Sequence, residues 1–247
     1  MAINLFRGGN LKKLFLFFLG LVFLSTLALV TPSVIGAKEK NPQVFITYTD
    51  KNAKVGICQA TTNDQVNTFA TTGWRLSPGI SDYKLKYSSK PRSWTNGAFQ
   101  SAIDLAFSNI QGAGGGVLFH YAGESREGRP ANDNQNTIMW QVLPAGVVAM
   151  TYIWTQDGHL TDADTVINNR YLFSLTDYTG SNDCGGSRAY FDLRNIATHE
   201  FGHWVGLGDL YDSRAKDLTM YGFAVRGELK KDTLGLGDIT GVRALWP

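Results

Sequence analysis

The sequence predicts an α+β domain, because segments with strand-like and helix-like hydrophobic periodicity follow one another from about Thr71. Five short segments are apolar or alternate in the manner of strands, and three longer segments carry apolar residues on one helical face. Their order is a strand, a helix, four strands, a helix, an irregular loop and a last helix, without internal repeats. The chain has 247 residues, of which 43% are hydrophobic, so we expect one main domain with additional segments.

The first 37 residues differ from the rest and predict export. Arg7, Lys12 and Lys13 precede the charge-free run LFLFFLGLVFLSTLALV at 14–30, and small residues follow up to Ala37. This is the pattern of a secretory signal peptide. An uncleaved membrane anchor is the alternative, although the run is shorter than the ~20 residues that a spanning helix prefers. We expect a secreted, extracellular protein with no stable membrane association after signal cleavage.

The charge of the remaining chain argues against nucleic acid as a partner. Without residues 1–37 it has 20 Lys and Arg against 21 Asp and Glu, a net charge of −1. The excess of positive charge therefore belongs to the signal segment, and no basic cluster remains for a phosphate backbone.

Residues 38–70 are interpreted as an N-terminal extension or short pro-segment before a domain at 71–247. The stretch is polar and irregular. Its VFITY segment at 44–48 alternates and predicts one strand.

The first half of the domain contains the predicted sheet. YKLKY at 83–87 alternates like a strand, and residues 95–110 form an amphipathic helix behind a Thr/Asn cap, ended by the glycines of 111–116. Four further strands are predicted at 117–121, 137–142, 147–154 and 164–168. Polar loops are expected at 122–136 and 174–187.

The second half contains two predicted helices. FDLRNIATHEFGHWVGL reads as a helix with Asp192 as its cap, closed by Gly206 and Gly208. A last short helix is predicted at 237–246.

The first of these helices carries HEFGH at 199–203, which indicates a metal site. Residues four apart on a helix lie on the same side, so His199 and His203 can bind one ion. Glu200 is then placed beside the ion, where it can accept a proton from water that zinc makes acidic. Gly206 allows a sharp turn that brings Asp209 round as third ligand. We expect one catalytic zinc ion per chain.

The extended motif HExxHxxGxxD is followed by TMYG at 219–222, where a methionine below the metal is expected. Together these residues resemble the metzincin zinc proteases, and within them the matrixins. LGLGDITGVRALW at 234–246 is similar to the matrixin closing helix. GVVAMTYIW at 146–154 resembles the edge strand that lines the matrixin substrate cleft.

The resemblance implies a metzincin or matrixin-like catalytic domain, with a five-stranded twisted mixed sheet and three helices. It also implies zinc ligation by His199 and His203, general base and acid catalysis by Glu200, and a Met-turn at Met220. Matrixins have a histidine where this sequence has Asp209, but a carboxylate also binds zinc well.

The same resemblance makes Ala149, Tyr221 and Phe223 candidates for the substrate cleft. The residues that follow Tyr221 depart from the matrixin pattern, which leaves the shape of the specificity pocket open.

The expected function is that of a secreted zinc-dependent endopeptidase, a monomer acting on a protein or peptide substrate. Two alternatives stay open: a secreted, non-enzymatic binding module stabilised by zinc, and a zinc hydrolase of cell-wall peptides. Glu200 argues against the module, because structural zinc binding needs no carboxylate at that position.

Cys58 and Cys184 are the two cysteines of the chain. In an exported protein such a pair suggests a disulfide. The alternative is that Cys58 silences the zinc as a thiolate, as in matrixin-like zymogens, although KVGICQA lacks the surrounding pattern.

Oxygen-bearing side chains crowd the region of residues 157–169, which contains Asp157, Asp162, Asp164, Asn168 and Asn169. Such a cluster allows calcium binding. The plainer interpretation is a polar hairpin and a solvated strand end.

Overall fold

A computed structural model describes residues 41–51, 62–76, 80–116, 118–175 and 189–246. The strands in this part of the chain are β1 (Gln43–Thr49), β2 (Ala70–Thr71), β3 (Ile80–Leu85), β4 (Leu118–Glu124), β5 (Thr137–Gln141), β6 (Val147–Gln156), β7 (His159–Asn168), β8 (Phe173–Ser174), β9 (Phe191–Asp192), β10 (Leu207–Gly208) and β11 (Phe223–Ala224). The α-helices are α1 (Asn96–Gly112), α2 (Leu193–Trp204) and α3 (Leu236–Leu245). Short 3₁₀ segments lie at Thr62–Gln65, Tyr87–Ser89, Ser213–Ala215 and Lys230–Asp232.

One mixed sheet organises the fold, with strand order β11-β1-β6-β7-β5-β3-β4. Strands β7, β5, β3 and β4 run parallel, and β6 runs antiparallel to both β7 and β1. The predicted α+β class, mixed sheet and three helices are confirmed. The prediction of five strands is wrong, because β1 and β11 extend the described sheet to seven strands beyond β6. An uncovered β6 would present unpaired backbone groups at the sheet edge, and β1 pairs with them.

Strand β1 lies within the predicted N-terminal extension. It pairs with β6 so that Phe45 lies opposite Thr151 and Thr47 opposite Ala149. Residues 43–49 thus belong to the same sheet as strands that follow Thr71. The predicted signal segment at 1–37 lies outside the described residues, and the interpretation of residues 38–70 as an N-terminal extension or short pro-segment stays a prediction.

Helix α1 forms where the amphipathic pattern predicts it. The Thr95 side chain caps it by accepting a hydrogen bond from the Ala98 N–H at 3.1 Å. The predicted apolar face is buried: Phe99, Ala102, Ile103, Ala106, Phe107 and Ile110. The Phe107 ring stacks on Phe201 of α2 with centroids 3.7 Å apart. This aromatic contact helps to fix the position of α2 against α1.

The two faces of the sheet are packed differently, because side chains alternate along each strand. One face packs against helices α1 and α2 to form the main core, to which the sheet contributes Leu85, Ile138, Ile153 and Ile167. The other buries a smaller cluster of Met139, Leu143, Val147 and Val166. Helix α2 contacts β1, β6 and β7. No helix in the described ranges is long and apolar enough to cross a bilayer.

Candidate metal centre

Helix α2 and the turn after it position three candidate metal-ligand side chains. Asp192 caps the helix as predicted, accepting a hydrogen bond from the Asn195 N–H at 3.0 Å. Beyond Trp204, Gly206 has φ +94°, and a Cβ atom there would collide with the Trp74 carbonyl oxygen. Glycine adopts this left-handed conformation without the penalty of other residues. The chain turns there and brings Asp209 back towards the helix.

The ligand atoms of His199, His203 and Asp209 converge. The Asp209 Oδ1 atom lies 3.3 Å from His199 Nε2 and 3.7 Å from His203 Nε2. Ligands at zinc distances of 2.0–2.1 Å in a tetrahedral site lie about 3.3–3.4 Å apart, so the spacing fits. In the described part of the chain, this is the one group of three or more His, Cys, Asp or Glu residues with metal-binding spacing.

Backbone carbonyls orient both imidazole rings. The Nδ1 atom of His199 donates to the Thr219 carbonyl at 2.7 Å, and that of His203 donates to the Leu207 carbonyl at 2.9 Å. A neutral ring that donates from Nδ1 keeps its lone pair on Nε2, the atom directed at Asp209. Burial lowers the pKa of His203, which favours the neutral ring. Both histidines are therefore prepared to act as ligands.

The convergent atoms have no other partner. His199 Nε2, His203 Nε2 and Asp209 Oδ1 are buried without a hydrogen bond. Buried polar atoms without partners cost free energy. Two imidazole nitrogens and a carboxylate oxygen facing one point fit a divalent cation.

Glu200 lies on the same helix, fully buried, and is held by two threonines. Its Oε1 atom accepts a hydrogen bond from the Thr47 hydroxyl at 2.6 Å, and its Oε2 atom accepts one from Thr151 at 2.6 Å. Burial raises the pKa of Glu200, while His203 and the two hydroxyls act in the opposite direction. Sequence reasoning missed both threonines. The alternation of VFITY and VVAMTYIW predicts on which face of its strand each threonine lies. It does not predict that both threonines face Glu200.

Met220 lies directly against α2. A Cβ atom at Gly202, between the two histidines in sequence, would collide with the Met220 sulfur. The backbone of this turn is held by the Asp238 carboxylate, which accepts from the N–H groups of Thr219 at 2.8 Å and Met220 at 3.1 Å. Asp238 also accepts from the Gly235 N–H at 2.9 Å. Sequence reasoning missed Asp238, since an acidic residue in the first turn of a helix is usually an exposed cap.

The cleft candidates lie around β1. Ala149 on β6 is buried and pairs with Thr47, and Phe223 on β11 pairs with Tyr48. Tyr221 precedes β11 and forms an isolated bridge with Leu210. Ala149 and Phe223 thus lie on opposite sides of β1. The space between β6 and β11, which we call the groove, is filled by β1.

The acidic cluster anchors a loop. Asp162 Oδ2 accepts from the N–H groups of Asp133 at 2.6 Å and Asn134 at 2.5 Å. Asp164 accepts from the N–H groups of Ala131 at 2.9 Å and Thr137 at 2.8 Å. These contacts give both carboxylates a structural role, and calcium binding stays a prediction. The cysteine pair, Cys58 and Cys184, lies outside the described residues.

No protein-family model matches this chain, and a search of curated proteins finds no match. The resemblance to metzincins therefore rests on the motif residues of the sequence alone.

Proposed function

We propose that this protein is a secreted zinc-dependent endopeptidase of the metzincin, matrixin-like type. One zinc ion is held by His199, His203 and Asp209, and Glu200 is the general base and acid. The observation that carries the proposal is the convergence of three partnerless ligand atoms on one point, with a buried glutamate on the same helix.

Bound zinc would supply a Lewis acid that polarises the peptide carbonyl and makes water more acidic. Glu200 accepts the proton that water loses, and returns it to the leaving amine nitrogen. Its burial raises its pKa, which suits a carboxylate that must hold a proton between these two steps. Thr151 keeps the carboxylate oriented through a hydrogen bond to Oε2.

The substrate of such an enzyme is an extended polypeptide. Antiparallel pairing with β6, in the place that β1 occupies in this structure, would hold it by main-chain hydrogen bonds. The candidate cleft residues Ala149, Tyr221 and Phe223 border the groove that this polypeptide would enter. A monomer is sufficient, because all the proposed ligands and Glu200 belong to one chain.

The second candidate is a secreted, non-enzymatic module stabilised by zinc. It is favoured by one observation: both oxygens of Glu200 already accept hydroxyl hydrogen bonds, and β1 covers the groove. In a closed site of this kind, structural metal binding alone would explain the three ligand residues.

Cleavage of casein by the exported chain separates the two candidates. We expect hydrolysis that a chelator abolishes and added zinc restores, together with one zinc per chain by elemental analysis. One bound zinc per chain without cleavage of any substrate would favour the module. Cleavage of cell-wall peptides but not of casein would favour the hydrolase alternative.

A further inference from the structure

Two aromatic rings, of Tyr171 and Phe191, lie beside the end of the groove at which β1 ends. The Tyr171 hydroxyl accepts a hydrogen bond from the Gly146 N–H at 2.8 Å, and the carbonyl of the same glycine accepts one from the Thr49 N–H at 2.8 Å. The Tyr171 and Phe191 rings pack edge to face, with centroids 5.3 Å apart. Both rings are therefore fixed relative to the wall of the groove.

Arg226 lies over these two rings. Its Cζ atom is 5.6 Å from each ring centroid, within the range of about 6 Å for a cation–π interaction. Its Nη1 atom donates to the Ala189 carbonyl at 3.3 Å, and the N–H of the next residue, Gly227, donates to the Tyr190 carbonyl at 2.8 Å. These contacts hold the guanidinium in one place, although the side chain is exposed.

A cavity of about 430 Å³ lies between this cluster and the end of β1. Its lining includes both rings, Arg226 and Thr49. Thr49 follows by two positions Thr47, whose hydroxyl donates to Glu200. A peptide in the place of β1 would therefore present to the cavity the side chain two positions C-terminal to the one beside Glu200. Thr49 is short, so the cavity has room for a longer side chain at that position.

The polar chemistry of the cavity selects a carboxylate. A guanidinium carries five N–H donors and no acceptor, and its planar fork matches the two oxygens of a carboxylate. Within the described part of the chain, Arg226 forms no salt bridge, and its one hydrogen bond goes to the Ala189 carbonyl. Most of its donors, and its positive charge, are thus available to a ligand in the groove.

We infer that Arg226, held over Tyr171 and Phe191, is a specificity residue of the groove, and that this cavity binds an acidic side chain of the polypeptide substrate. The preferred substrate carries Asp or Glu two positions C-terminal to the residue that lies beside Glu200. This inference rests on the proposed function, because the substrate must take the place of β1. It adds a substrate class, polypeptide segments with an acidic residue after the cut bond.

A double-mutant cycle in the full exported chain measures carboxylate recognition without any cleavage. Thr49→Glu places a carboxylate at the cavity, and Thr49→Gln is the matched control of equal length without the charge. Both are compared, by urea denaturation, with Arg226 present and with Arg226→Gln. We expect the advantage of Glu over Gln in the unfolding equilibrium constant to be about fivefold larger with Arg226 present. An advantage that is the same in both backgrounds would overturn the inference.

The positions of the cut bonds test the substrate preference directly. The wild type, Arg226→Gln and a control, Arg92→Gln, digest one pool of peptides of random sequence, and mass spectrometry locates each cut bond. Arg92 is an exposed arginine in the loop before α1. We expect Asp and Glu to be enriched about fivefold at one fixed position C-terminal to the cut bond in the wild type and the control, but not in Arg226→Gln. Equal enrichment in all three proteins would remove Arg226 from the site.

The two measurements separate this inference from the proposed function. Cleavage by all three proteins without any acidic preference, together with no coupling between positions 49 and 226, would overturn the inference and leave the protease proposal standing. Absence of cleavage of any peptide would overturn the proposed function, whether or not the cycle shows coupling, and the substrate role of Arg226 with it.

Discussion

Two histidines four residues apart are common on helices, and this pair is distinguished by the environment of its ring nitrogens. Each Nδ1 donates to a backbone carbonyl, and each Nε2 is buried without a partner beside Asp209. An ordinary buried histidine would use both nitrogens in hydrogen bonds within the protein. The proposed metal therefore accounts for a feature that packing alone leaves unexplained.

Glu200→Gln should separate metal binding from catalysis. The side chain is not among the convergent ligand atoms, so the variant should retain one zinc per chain. Cleavage should fall by at least ~10⁴, at the upper end for general acid–base catalysis, since one group serves both proton transfers. Elemental analysis and kcat/KM on casein peptides check this. Cleavage at the parent rate would exclude Glu200 as the general base.

Asp209→Ala should affect metal binding itself. It removes a ligand, so we expect zinc affinity to fall by more than the ~10–100-fold that loss of an outer-shell partner costs. Competition with a chromophoric chelator measures this. Asp209→His, which supplies the more common matrixin ligand, should retain zinc and part of the activity. Equal zinc affinity in Asp209→Ala and the wild type would remove Asp209 from the site.

At the scale of elements, α2 and α3 cooperate to shape the floor of the site. Gly202 on α2 leaves room for the Met220 side chain, and Asp238 on α3 binds the backbone of Thr219 and Met220. The Thr219 carbonyl in turn accepts from the His199 ring. Helix α3 therefore influences the proposed metal ligand His199 through the turn at 219–220.

Asp238→Ala tests this connection. Three backbone donors would lose their acceptor, and each unsatisfied buried donor costs about 1–3 kcal/mol. We expect the free energy of unfolding to fall by about 3 kcal/mol or more in urea denaturation. Asp238→Asn, which keeps one acceptor oxygen, should lose less. Equal losses in the two variants would show that packing, and not hydrogen bonding, holds the turn.

At the scale of the whole molecule, the site joins segments that are far apart in the chain. Thr47 and Glu200 are separated by 153 positions, and the proposed ligand set joins α2 to the segment after β10. An ion held by these residues would bind the folded state and not the unfolded state, because the unfolded chain does not hold the ligands together.

Removal of the metal should therefore lower the stability of the protein. At a free zinc concentration of about 1,000 times Kd, binding contributes about 4 kcal/mol to the free energy of unfolding. Thermal unfolding with and without a chelator measures the difference. Asp209→Ala is the control and should show little shift. A wild type whose Tm is unchanged by complete removal of zinc would contradict a site formed by folding.

Features that depend on neighbours within a few residues were predictable from the sequence. The buried face of α1, the Thr95 and Asp192 caps and the turn at Gly206 follow from helical periodicity, side-chain acceptors and backbone freedom. The spacing of His199, Glu200 and His203 is also local, since a helix alone places residues four apart on one side.

Only the tertiary structure decided which strand edges pair and which side chains from distant parts of the sequence come into contact. Alternation in VFITY indicates a strand with two faces, but every residue except proline carries the same backbone donor and acceptor, so the pattern does not name its partner strand. That β1 covers β6, that Thr47 reaches Glu200 and that Asp238 holds the turn at Met220 all depend on contacts across long stretches of chain. The sequence by itself determined the proposed ligands and their spacing, because these are local. The tertiary structure decided the access to them, because strand pairing depends on the arrangement of the whole sheet.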